Sequence, residues 1–193
     1  MIKIINCKNK NFKKNLKIFL DKRRSGKNID TSVVPKIIKD IKKNKLKALI
    51  KYENKFSKNK KIVPTQREIN LSIKKLDPKI KKAIDFAYSR IFKFHSLQKI
   101  KNIKYIDKYK NKIEYKHVPI QNVGVYVPAN LPSTLLMNVI PAKIAGVKRI
   151  VVANPIVNGT LNSAVMYAAK KCNVKEIITC GGAQAIASLA YIQ

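Results

Sequence analysis

Negative charge is what this 193-residue chain lacks most: 10 Asp and Glu stand against 42 Lys and Arg, a formal net charge of +32. Arginine is scarce too, with 5 Arg beside 37 Lys. Base readout and bidentate phosphate contact draw on the planar arginine fork, which lysine does not imitate. The shortage therefore argues against a selected nucleic-acid function. Lys, Asn and Ile are abundant and have A/T-rich codons, so drift in an AT-rich genome accounts for the pattern without a ligand. The expectation is no specific nucleic-acid partner, and non-specific adhesion to polyanions from charge alone.

Only three cysteines occur, Cys7, Cys172 and Cys180, widely spaced and without a CxxC. They fit packed or free thiols in a reducing, cytoplasmic setting and exclude a disulfide framework or a zinc knuckle. No run of 18 apolar residues exists, which argues against a membrane-spanning helix. The opening MIKIINCKNKNFKKNL has no apolar core followed by a small-residue cleavage site, so no secretory signal is expected. His95 has no carboxylate or second His three or four residues away to make a metal pair. His117, two residues before Pro119, reads as a loop or strand residue. Neither supports catalysis from sequence.

What is present divides into two regions. Residues 1–116 carry 36 Lys and Arg against 9 Asp and Glu, whereas residues 117–193 carry 6 against 1, and five of the six glycines lie after residue 117. The shift places a boundary near Lys116–Pro119, between a strongly basic helical region (1–116) and an incomplete α/β domain (117–193). In the first region, Ile2–Ile5 reads as a short strand and Asn11–Arg24 as a helix. A second helix runs from Thr31, with Pro35 in its first turn and Val33, Val34, Ile37, Ile38, Ile41, Leu46, Leu49 and Ile50 near helical spacing. Thr65 and Glu68 form a capping-box pattern. Asp77-Pro78 opens a long helix striped by Ile80, Ile84, Ala87, Tyr88, Ile91 and His95. Residues 103–116 alternate like a hairpin turning at Asn111.

The second region alternates strand and helix: strand Val123–Val127, helix Leu135–Ala145, strand Ile150–Ala153, helix Leu161–Lys171, strand Glu176–Cys180, helix Ala183–Ile192. Ser133 and Thr134 are candidate caps for the first of these helices, Pro141 is a candidate kink or break within it, and Gly146 is its stop. This spacing predicts a parallel sheet with right-handed crossovers. The fold class is α/β: a helical N-terminal region followed by the first half of a Rossmann-like parallel sheet domain.

Two places could carry chemistry. In ITCGGAQAIA, Gly181-Gly182 leave a strand and open a helix, which presents backbone N–H groups at the positive end of a helix dipole and would suit a phosphate or another anion. Gly-Gly at such a turn is also used simply as a tight turn. There is no GxGxxG and no Walker sequence. In GVYVP, Tyr126 falls near the carboxyl end of the first strand, at the rim where doubly wound sheets bind ligands; a core aromatic is the alternative.

VGVYVP (123–128), LPST (131–134), IPAKIAGVKRIVVANP (140–155) and GGAQAIASLAY (181–191) are similar in order and spacing to histidinol dehydrogenases. DPKIKKAIDFAYSRIFKFHSLQK (77–99) resembles the same family's long N-terminal helix, and weaker similarity covers residues 22–60. The resemblance implies NAD-dependent four-electron oxidation of L-histidinol to L-histidine, with zinc orienting the substrate and a Glu-His pair as acid and base. It implies NAD contacts at Tyr126 and Gln184. It also implies that zinc ligands and catalytic groups lie beyond this stretch, so none is assigned here, and that the chain works as a homodimer or with a missing C-terminal half. One departure stands out: the family's string carries two glycines after VYVP, where this chain reads Ala129-Asn130 in a shorter loop, which alters how closely backbone approaches a dinucleotide. A three-strand piece of sheet is expected to leave an apolar face uncovered and to be aggregation-prone. The expectation is an N-terminal fragment of such an enzyme, inactive alone; the rival expectations are a non-catalytic remnant or half of a split enzyme completed by a partner chain, and a basic nucleic-acid-binding protein.

Overall fold

The computed structural model describes residues 7–24 and 32–192, so the strand expected at Ile2–Ile5 lies outside the described residues. The chain divides into two compact units, residues 1–35 and 36–193. In the first, helix α1 (Phe12–Arg24) starts where the Asn9 carbonyl and side chain accept the Phe12 and Asn11 N–H groups. The first unit also holds the opening turn of α2 (Val33–Ser57), with Pro35 in it.

Helix α2 does not keep one phase. Lys45 has φ 50° and ψ −127°, and beyond this break Leu49 and Glu53 are buried in addition to Ala48, which packs with Ile37 and Ile41. Leu46 and Ile50, on the stripe expected from sequence, are exposed. Helix α3 (Gln66–Lys74) begins with the capping box read from sequence, Thr65 and Glu68 each taking the other's backbone N–H. Helix α4 (Pro78–Ser96) is capped by Asp77 through the Lys79 N–H. Ile84 is buried and Ala87, Tyr88 and Ile91 pack beside it, while Ile80 is exposed. Strands β1 (Ile103–Ile106) and β2 (Lys112–Tyr115) pair antiparallel as the expected hairpin. Asp107 holds its turn by accepting from Tyr109 and Asn111.

Strands β3 (Asn122–Tyr126), β4 (Arg149–Ala153) and β5 (Glu176–Ile178) form a parallel sheet in that order. They alternate with α5 (Pro132–Ile144), α6 (Ser163–Lys171) and α7 (Gly182–Tyr191). The α/β class and the parallel sheet are those expected from the sequence. Period-2 alternation sorts the strand residues onto two faces. Val123, Val125, Ile150, Val152 and Ile177 join the cluster that takes in Leu135, Leu136, Val139, Ile140, Val165 and Met166 from α5 and α6. The same cluster includes Ile73, Leu76 and Ile84, so α3 and α4 share a core with the sheet across the compositional shift at residues 116–119. On the other face, Tyr126, Ala153 and Ile178 pack with Leu49, Ala185 and Leu189 from α2 and α7.

Two local expectations need correcting. Ser133 and Thr134 do not cap α5: its N-cap is Leu131, without a side-chain bond, and Pro132 supplies the first helical residue, because its fixed φ suits that place and its missing N–H would be unpaired there anyway. Nor does Pro141 break α5, which runs through it. The residue four back, Met137, is 62% exposed, so water can take the carbonyl that Pro141 leaves free. Gly146 is the stop, its N–H and that of Val147 returning to the Lys143 and Ala142 carbonyls.

Candidate functional site

The carboxyl end of the sheet is organised by side chains from outside the strands. Asn154, fully buried after β4, donates through Nδ2 to the carbonyls of Val127, Pro128 and Ala129 at 3.1, 3.2 and 3.4 Å. It therefore fixes the start of the Ala129-Asn130 loop. Asn130 accepts in turn from Asn162, the N-cap of α6, at 3.0 Å. On the far side, buried Thr179 is clasped by residues 59–62. Asn59 Nδ2 donates to the Thr179 carbonyl at 2.7 Å, and the Thr179 N–H donates to the Ile62 carbonyl at 2.6 Å. This clasp holds the residue that follows β5 and sets the exit into Cys180-Gly181-Gly182.

Tyr126 and Gln184, 58 positions apart in sequence, both come to this exit. A Cβ built on Gly181 would lie 3.9 Å from the Tyr126 hydroxyl, and one built on Gly182 would lie 3.0 Å from Gln184 Oε1. Gly182 has φ +63°, which a side chain would strain. Close packing of α7 on the sheet needs a second glycine: a Cβ on Gly124 would sit 2.7 Å from Leu189 Cβ. Gln184 is buried, and Tyr126 is partly buried in the cluster beneath α7.

The turn does not present an empty positive end. Glu53, fully buried on α2, aims its carboxyl at it: Oε2 accepts from the Gly181 N–H at 3.3 Å and from Gln184 Nε2 at 3.0 Å. Oε1 is buried without a hydrogen-bond partner among the described residues. In a capping box the third helical residue reaches back to the N-cap N–H; here Glu53 bridges those two positions. Sequence reading passed over Glu53 because an acid in KYENKFS looks like a solvated helix residue, and its burial follows from the re-phasing at Lys45. Asn154 and Asn59 were also missed, since nothing local marks an asparagine that will serve a distant loop.

Burial pushes the Cys172 thiol up to about 11 and the Cys180 thiol up to about 12, so both stay protonated and are poor metal ligands at neutral pH. Among the described residues no group of three His, Cys, Asp or Glu is gathered to hold a metal ion. The donor set therefore does not fit zinc. His95 and His117 line one open depression of about 980 Å³ beside Pro119 and Pro141. His95 Nδ1 is 2.6 Å from Gln98 Oε1, and the His117 N–H donates to Asn102. No described helix is long and apolar enough to cross a membrane.

A parallel sheet with helices on both faces, and polar side chains gathered at its carboxyl end, defines a doubly wound α/β domain of the kind that binds ligands at that rim. The particular family follows from comparison: the histidinol dehydrogenase family model matches residues 21–193, and the chain belongs to that family, one of oxidoreductases. A histidinol dehydrogenase of Pelagibacter ubique (strain HTCC1062) is 57% identical over 194 residues, covering 99% of this chain and 45% of the relative. One from Idiomarina loihiensis is 38% identical over 161 residues, covering 80% of this chain and 36% of the relative. The crystal structure of histidinol dehydrogenase from Elizabethkingia anophelis matches with a TM-score of 0.79 at 35% identity, covering 86% of this chain and 40% of that one. The chain thus spans less than half the length of these relatives.

Proposed function

We propose that this chain supplies the dinucleotide-binding part of a histidinol dehydrogenase, in which NAD-dependent oxidation of L-histidinol to L-histidine is completed by zinc-binding and acid/base residues outside these 193 residues. The observation that carries the reading is the convergence of Tyr126 and Gln184 on the Gly181-Gly182 turn. Tyr126 would offer a ring face and a hydroxyl to the cofactor. Gln184 would offer its carbonyl oxygen, because its N–H side is held by Glu53. Asn154 would keep the loop after β3 out of the cofactor's way. NAD, when bound, accepts hydride, and the protein's share is position and electrostatics. No step is assigned to zinc in this chain, whose described residues gather no ligand set for it. A homodimer is the assembly proposed for the completed enzyme, and the cytoplasm its location.

Two measurements test this. Saturation-transfer NMR of the chain with NAD should show binding that Gln184→Ala and Tyr126→Phe weaken by roughly tenfold, about 1.4 kcal/mol. Co-expression with the remaining portion of the Pelagibacter ubique relative, plus zinc, NAD and L-histidinol, should yield NADH, while the chain alone should not. Absence of NAD binding by the folded chain, or no effect of either substitution, overturns the site. NADH formation by these residues alone overturns the placement of the zinc-binding and acid/base groups outside them.

A further inference from the structure

The sequence marks the start of α7 as a place for a phosphate, yet the fold puts a carboxyl there. Glu53 is fully buried, takes the N-cap N–H of Gly181 and the Gln184 amide on one oxygen, and keeps its other oxygen unpartnered among the described residues. The N-cap itself is glycine and supplies no side-chain oxygen, so the acid from α2 is what faces the positive end of the ten-residue helix. An anion there is stabilised by the dipole. A second anion brought to the same turn meets a like charge in a region of low dielectric, where repulsion is strong.

We propose that Glu53 is a specificity-determining residue that fills the anion position at the α7 N-terminus, so that this turn rejects phosphate. The inference rests on the reading that this turn belongs to a dinucleotide site, and it orients that dinucleotide: its phosphates lie away from Gly181-Gly182.

The test uses the full chain labelled with 15N and titrated with inorganic pyrophosphate, reading the backbone amide shifts of Gly181, Gly182 and Ala183. These report the turn alone, whatever the surface lysines bind. In the native chain the three amides should stay unmoved at millimolar pyrophosphate. In Glu53→Ala they should shift on titration, with at least tenfold tighter site-specific binding. Glu53→Gln retains the side-chain size and an acceptor for the Gly181 N–H, so it keeps the turn filled if the alanine variant melts; the same gain is expected of it. The inference is overturned if pyrophosphate moves these amides equally in native and variant chains, or if a variant with native chemical shifts elsewhere gains nothing. Should NAD bind while neither variant gains pyrophosphate, only this inference falls. Should NAD fail to bind while the variants gain pyrophosphate, the dinucleotide reading and the orientation drawn from it fall, and the exclusion of phosphate by Glu53 stands.

Discussion

At the scale of single residues, the fold depends on two kinds of fit, one steric and one polar. Gly124 is steric: α7 lies so close to β3 that an added methyl group would meet Leu189 Cβ at 2.7 Å. Gly124→Ala should therefore destabilise the chain by about 1–3 kcal/mol, as overpacking does, and chemical denaturation should show a lowered midpoint with unchanged slope. An unchanged midpoint would mean that α7 shifts without cost. Thr179, Asn59, Asn154 and Glu53 are the polar fits, each buried and each bonded to a segment far away in sequence. Glycine at 124 could be flagged from VGVYVP as an interruption in a β-branched strand. The buried polar set could not be flagged, because burial of a polar side chain is a property of its neighbours.

At the scale of elements, local chemistry and packing agree well for α3 and α4 and part company in α2. The capping box of α3 was legible because its donors and acceptors lie within four residues. It also carries a pH dependence. The Lys61 ammonium, then the Thr65 amide, hold the Glu68 carboxyl down to about 2 from its ordinary 4.5. Its folded value is depressed, so the unfolded chain binds the proton more readily. The stabilisation is full above about 4.5 and is lost as the pH falls through 2. An NMR titration of Glu68 should give a midpoint well below that of an exposed glutamate, and Thr65→Ala should raise the midpoint while costing α3 about 1 kcal/mol. A Glu68 midpoint near 4.5 in the native chain would refute the box. In α2, by contrast, the apolar residues recur near helical spacing throughout, and the break at Lys45 that turns Glu53 inward leaves no mark in that pattern.

For the whole molecule, charge and coverage set behaviour in solution. A net charge of +32 should bind DNA without regard to sequence and release it as salt rises, because affinity comes from displaced counterions. Fluorescence anisotropy with two unrelated duplexes should give equal affinities at low salt and loss of binding in several hundred millimolar NaCl. Salt-insensitive, sequence-selective binding would restore the nucleic-acid reading that the arginine shortage disfavours. The strands β1 and β2 are exposed along their whole length, and an isolated two-stranded hairpin is at best marginally stable in water.

The sequence by itself determined what short-range physics determines: the alternation of strands and helices after residue 117, the caps at Thr65 and Asp77, the stop at Gly146 and the basic surface. It also carried the family motifs, which is why Tyr126 and Gln184 could be named before any fold was known. Only the tertiary structure decided what stands around them. The break at Lys45 turns Glu53 inward, the 59–62 segment clasps Thr179, and Asn154 reaches the loop after β3. Each joins positions that are 25 to 131 residues apart or depends on a backbone angle with no local signature. A turn that reads as an anion cradle in one dimension is therefore already faced by a carboxyl in three.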